Sequence, residues 1–277
     1  MASSCRTNFL TLSVLRIQGS FHGIRNTQYA IRKVVKPIRL LEETYANIMP
    51  PFEHILYDGW LLRFTRGYAT NNNSVWPLYE GDLPLESKIA FCEAQYAARG
   101  SSCGFRLSGL PGHKAIEALL TERGYISDNP NLVMARASVD APEATITEVT
   151  MDEWLEIAFR INPVDDPHIG DWKRQVLARL ALPGRYAAVM RDGEAYAYGR
   201  SVRQGNILYI EDLWTLPEFR SQRIGTQLIH GLLRLGLQDG AETACLAVNE
   251  SNTGARRLYE RLGFVDRYLY YYVIPEA

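Results

Sequence analysis

Apolar positions along this chain recur with two periods, and the switches between them mark its elements. The apolar-rich runs Tyr186 to Val189 and Ala195 to Val202 flank Arg191-Asp192-Gly193-Glu194, where Asp-Gly accepts positive φ, so the segment predicts a β-hairpin. A turn at Gln204-Gly205 leads into a third strand, Ile207 to Thr215, which makes an antiparallel meander. Ile224, Leu228, Leu232 and Leu235 then recur at spacings of 4, 4 and 3, the period of an amphipathic helix lying on a sheet. Thr243 to Val248 is an apolar run of strand length, Asn252 to Leu262 has helical period, and Val265 to Ile274 is a β-branched and aromatic strand.

The same succession recurs 139 residues upstream. At that offset Gly263-Phe264 falls on Gly124-Tyr125, Leu258 on Leu119 and Ala255 on Ile116, while the helix beginning near Thr226 falls on Ser87 to Ala98. Self-similarity at a fixed period is the mark of a duplicated module. The boundary lies between Leu132 to Ala135, the last strand of the first copy, and Ala144 to Val149, the first strand of the second, with Pro142 in the linker. The predicted fold class is α+β (α/β), with two tandem modules at 38–140 and 144–277, each a mixed, mainly antiparallel sheet flanked by helices.

Composition narrows the class. With 47% hydrophobic and 22% charged residues the chain is ordinary globular protein. The longest apolar run, Tyr268 to Ile274, is far short of the ~20 residues of a spanning helix, so no membrane role is expected. Four cysteines without CxxC spacing imply neither a zinc site nor a disulfide framework and suit a reducing, cytoplasmic compartment. No metal is expected. Of 30 basic and 31 acidic residues, six basic and no acidic ones lie in residues 1–36, leaving 24 against 31, or −7, for the body. An acidic body disfavours nucleic acid and favours a cationic or neutral small substrate. The basic leader of residues 1–36 reads as a transit peptide, which would redirect the protein to an organelle, or as a disordered tail, or as an extension from a mis-assigned start.

The copies differ where chemistry would sit. Arg220-Ser-Gln-Arg-Ile-Gly225 joins a strand to a helix N-terminus, an arrangement that points backbone N–H groups and a positive dipole at a phosphate. The first copy has Gly81-Asp-Leu-Pro-Leu-Glu86 there, with two carboxylates and a donor lost to proline. Asn252 is matched by His113 and Tyr259 by Leu120. The site therefore belongs to the second copy. Neither GxxxxGK nor GxGxxG is present, which excludes a nucleotide P-loop and a dinucleotide fold.

Here the chain resembles the GNAT family of acyl-CoA-dependent N-acetyltransferases. The family's Arg/Gln-x-x-Gly-x-Gly/Ala motif corresponds to Arg220-x-x-Arg223-x-Gly225, in which arginine replaces the middle glycine. Downstream, Leu246-x-Val248-x-x-x-Asn252-x-x-Ala255-x-x-Leu258-Tyr259-x-x-x-Gly263-Phe264 follows the family pattern at each defined position. The likeness covers residues 145–274, and the first copy looks like the degenerate N-terminal half of tandem GNAT proteins.

The resemblance implies acetyl-CoA as cosubstrate and direct attack of an amine nitrogen on the thioester. It implies that Leu213, Trp214 and Thr215, the bend residues Arg220, Arg223, Ile224, Gly225 and Thr226, and Asn252 and Ala255 hold the cofactor. Tyr259 would protonate the departing sulfur, and Glu211 would deprotonate the amine, with Asp212 as second choice. Strand alternation predicts Tyr209, Glu211 and Leu213 on one face and Asp212 and Trp214 on the other. Tyr209 and the acids Asp165, Asp166 and Asp171 are the candidate acceptor contacts, although a solvated loop accounts for the three acids equally well. The expected partner is a small-molecule or peptide amine, and the chain is expected to be a monomer or homodimer. The rival reading is a catalytically silent acyl-CoA-binding or sensing protein, kept open by Arg223.

Overall fold

The computed structural model describes residues 37–67 and 72–276, and the basic leader lies outside them. A first helix, α1, spans residues 37–48. It is followed by β1 (Glu53–Tyr57), β2 (Trp60–Phe64), β3 (Val75–Pro77), α2 (Leu85–Ala97), β4 (Phe105–Leu107), α3 (His113–Glu122) and β5 (Tyr125–Arg136). A short β6 (Thr147–Val149) precedes two helices, α4 (Met151–Ile161) and α5 (Ile169–Leu177). The chain ends with β7 (Gly184–Arg191), β8 (Glu194–Gln204), β9 (Ile207–Thr215), α6 (Ile224–Gln238), β10 (Thr243–Asn249), α7 (Thr253–Arg261) and β11 (Val265–Pro275). Three strands, a helix, a strand, a helix and a strand thus occur twice, and α2 and α6 begin 139 residues apart, at Leu85 and Ile224.

All eleven strands form one sheet in the order β1-β2-β3-β4-β11-β5-β10-β9-β8-β7-β6. Only β3–β4 and β9–β10 pair in parallel. The two halves with this shared element order are joined by an exchange of their last strands. β11 pairs with β4 through Tyr271↔Leu107, and β5 pairs with β10 through Leu246↔Met134. β5 and β11 then pair with each other from Val265↔Ala135 to Pro275↔Tyr125.

Period-2 burial explains why both exchanged strands sit in the middle. Leu132 and Met134 of β5 enter the core beneath α6, while Val133 packs with Tyr270 and Tyr272 on the opposite face. The helices α2, α3, α6 and α7 cover one face of the sheet, and α1, α4 and α5 cover the other. On α6 the predicted stripe of Ile224, Leu228 and Leu232 is buried and is widened by Ile229 and Leu233. Each such side chain contributes about 1.5–3 kcal/mol on burial.

Candidate active site

β9 and β10 pair only from Ile207↔Thr243 to Ile210↔Leu246, although β9 runs on to Thr215 and β10 to Asn249. Beyond that point the two strands separate. The cause lies in β9, where Asp212 takes φ 51°, a left-handed conformation that aspartate tolerates better than most residues. Tyr198 pairs with Trp214 and Arg200 with Glu211, so three steps on β9 oppose two on β8. Gly199 makes room for this bulge, since a Cβ there would lie 2.6 Å from Leu213 Cδ2.

The bulge corrects the expected alternation. Leu213 turns towards α6, away from Tyr209, whereas Glu211 and Asp212 turn to the same side and share one guanidinium. Arg200 Nε donates to Asp212 at 2.6 Å, and its Nη2 donates to Glu211. Lys173 of α5 completes the network at 2.7 Å from Asp212.

Two cavities meet the sheet at this split. The first, a cleft of about 770 Å³ on the α6/α7 face, is lined by all ten positions expected to hold the cofactor, together with Tyr259. Arg220 donates from Nε to the Thr215 carbonyl at 3.2 Å and stands over the Trp214 ring. The N-terminus of α6 is capped by no side chain, so its first turn presents N–H groups and the positive dipole end to the cleft. Asn252 is the N-cap of α7, its Oδ1 accepting from the Ala255 N–H at 3.1 Å. Tyr259, one helical turn further along the cleft wall, is buried with its ring edge-on to Phe264. Burial pushes the Tyr259 phenol up to about 12, so it holds its proton at neutral pH.

Arg223 occupies the N-cap of α6 with φ 62°, the conformation a glycine adopts freely. The arginine therefore keeps the geometry of the loop at the cost of local strain while adding a cation to the cleft. Arg223→Gly is expected to stabilise the fold by about 1 kcal/mol while weakening binding of a diphosphate ligand, checked by paired melting and calorimetric titrations.

The second cavity, about 420 Å³, opens on the α1/α5 face. Tyr45 of α1 and Met49 just after it, Glu211 and Asp212 of β9, and Tyr270 and Tyr272 of β11 form most of its wall. Arg200 is wholly buried behind it, where its Nη2 also meets Met49 Sδ at 2.7 Å. Beneath the tyrosines, Arg106 forms a two-point ion pair with Glu42 at 2.8 Å, donates to Tyr272 Oη at 3.1 Å and lies on the Tyr270 ring. Burial pushes the Glu211 carboxyl up to about 7, working against Arg200 and reinforced by the charge of Asp212. Lys173 and Arg200 hold Asp212 well below the usual carboxylate range, against the effect of its burial. Of the adjacent acids, Asp212 keeps the charge and Glu211 is the one that exchanges a proton near neutrality.

The expected acceptor contacts fare differently. Tyr209 lines neither cavity; it is buried in the core, stacked on Tyr45 at 5.1 Å between ring centroids. Asp165, Asp166 and Asp171 are exposed and line neither cavity: the first two precede α5, and α5 buries Trp172 and Val176 while leaving Asp171 to solvent. Asp166 instead accepts from the His168 N–H at 2.8 Å. Sequence reasoning passed over Arg200, Lys173, Tyr45 and Met49, which reach the site only through long-range packing. The one local signal was the run of tyrosines at Tyr268 and Tyr270 to Tyr272, of which Tyr270 and Tyr272, two apart on one face of a strand, form the wall.

Residues 150–264 match the profile of the Acetyltransferase (GNAT) family. Over 71 residues the chain is 35% identical to thialysine N-epsilon-acetyltransferase of Bos taurus, covering 26% of this chain and 42% of that protein. The chain thus spans about two fifths of the length of the curated relatives it matches first. Among solved structures, a GCN5-related N-acetyltransferase from Kribbella flavida superposes with a TM-score of 0.64 at 16% identity, covering 87% of this chain and 95% of that one. A tandem GNAT protein from the clavulanic acid biosynthesis pathway superposes with a TM-score of 0.58 at 13% identity, covering 91% and 97%. At these identities the two structures speak for the fold alone. The family profile lies across the split strands, the bend and the helix that carries Tyr259, so it is this stretch of the chain, residues 150–264, that is similar to the GNAT acetyltransferase family.

Proposed function

We propose that this chain is an acetyl-CoA-dependent N-acetyltransferase that modifies a primary amine by direct attack. The reading is carried by the separation of β9 and β10, which sets a phosphate-binding cleft with Tyr259 on one face of the sheet and Glu211 on the other. The cleft suits the cofactor: its volume falls in the usual ligand range, two arginines and the α6 N-terminus suit a diphosphate, and Leu228, Ile229 and Leu258 suit an aliphatic arm. Acetyl-CoA held there supplies the acetyl thioester.

This chain's own groups manage the protons. Glu211 takes one proton from the substrate ammonium, which frees the nitrogen lone pair for attack. As the N–C bond forms and the C–S bond breaks, Tyr259 gives its proton to the sulfur, and the second nitrogen proton restores the phenol. Arg200 and Lys173 hold the two carboxylates in place.

The first copy offers no equivalent cradle among the described residues. There the Asp58 carboxylate itself accepts from the N–H groups of Asp82 and Leu83, both at 3.0 Å, and pairs with buried Lys88 at 2.9 Å. A carboxylate from within the chain fills the anion position. Calorimetric titration with acetyl-CoA is therefore expected to give one site per chain, and addition of an amine panel is expected to release CoA. Binding without turnover on any amine would favour the sensing reading, and two equivalent sites would contradict the account of Asp58.

A further inference from the structure

The cavity on the α1/α5 face carries an unusual balance of charge. Among the described residues its only charged lining side chains are Glu211 and Asp212, and both are already matched from behind by Arg200 and Lys173. No cation lines it among the described residues, since Arg106 is committed to Glu42 behind the tyrosines. Its exposed rim is formed by Asn129, with half-buried Asn131 beside it, so the rim bears amides and no carboxylate. Asn129 has φ 53°, and its Oδ1 accepts from Asn249 at 2.7 Å, which holds the amide in place at the mouth. The floor is closed by Tyr45, Tyr272 and Ile210, all buried.

From this we infer that the acceptor is a small hydroxylated monoamine, of which an amino sugar is the simplest type; the inference rests on the acetyl-transfer reading above. The amine meets Glu211 at the inner end. A second ammonium, as in a polyamine, would find no counter-charge at the asparagine rim, and a free carboxylate, as in an amino acid, would find no cation on the wall. Uncharged hydroxyls are matched by the amide groups of Asn129 and Asn131, which both donate and accept. A volume of about 420 Å³ holds roughly fourteen non-hydrogen atoms, taking the ~30 Å³ share of one water as the unit. That admits one sugar ring.

The test uses the full chain with acetyl-CoA and five acceptors: glucosamine, ethanolamine, putrescine, free lysine and a lysine-containing blocked peptide. The inference expects kcat/KM for glucosamine to exceed that for putrescine, lysine and the peptide by at least tenfold. Preference for any of those three overturns it and leaves acetyl transfer standing. Absence of turnover with all five, while acetyl-CoA binds, overturns the acetyl-transfer reading and this inference with it. Asn129→Asp supplies an independent arm, because aspartate keeps the acceptor for Asn249 and tolerates the left-handed backbone while adding the missing charge. The ratio of kcat/KM for putrescine to that for glucosamine is expected to rise at least fivefold in this variant. An unchanged ratio would mean that the far end of the acceptor does not reach the rim, and the inference would fail.

Discussion

Tyr259→Phe is expected to lower kcat about 100-fold while leaving the Kd for acetyl-CoA within about twofold. The variant keeps the buried ring and its edge-on contact with Phe264, so neither the cleft wall nor the core of α7 changes. What it loses is one hydroxyl proton, needed only when the sulfur leaves. Because burial raises the phenol to about 12, the wild-type group is protonated throughout the physiological range, and its loss should reduce rate equally at pH 6 and pH 9. Steady-state kinetics paired with calorimetry separate the outcomes. Full activity would remove Tyr259 from the chemistry, and a large loss of acetyl-CoA affinity would recast it as a structural residue.

Glu211→Gln is expected to cost about 100-fold to 1000-fold in kcat/KM and to abolish a titration near neutrality. A carboxyl raised to about 7 is neutral and unable to accept a proton below that pH, and ionised and competent above it. Wild-type kcat/KM should therefore climb through pH 7 as pH rises. Glutamine preserves the size of the side chain and an oxygen for Arg200, but has no basic form, so that limb should vanish. Any rise that remains at higher pH belongs to the substrate amine. A variant profile superimposable on the wild type would pass the role to another group, with Asp212 the adjacent carboxylate.

Much of the second copy was legible because its signals are local. The period of Ile224, Leu228 and Leu232 places α6, and spacing puts Asn252, Ala255 and Tyr259 on one helical face, while it was the family resemblance that tied them to a cofactor cleft. The Asp58 plug was half visible, in that the acids and proline of Gly81 to Glu86 argued against an anion there. Three features were hidden for physical reasons. Period-2 alternation assumes an unbroken strand, and nothing in Glu211-Asp212-Leu213 announces an aspartate at positive φ. Apolar strands reveal burial but not partners, so the pairing of β5 with β10 could not be read from either. The wall residues Tyr45 and Met49 and the clamp of Arg200 and Lys173 come from elements remote in sequence, and only tertiary packing gathers them.

The exchange of β5 and β11 reaches beyond architecture. Severing the chain in the 137–146 connection would leave each fragment holding the strand that completes its sister: the first would own the neighbour of β10, the second the neighbour of β4. Neither fragment alone could close its own sheet in this arrangement, yet the pair carries all the edges needed to reassemble by complementation. The exchange makes the two halves mutually dependent: the half without an anion cradle supplies Tyr45 and Met49 to the cavity that Glu211 lines, and can no more be discarded than the half that carries Glu211 and Tyr259.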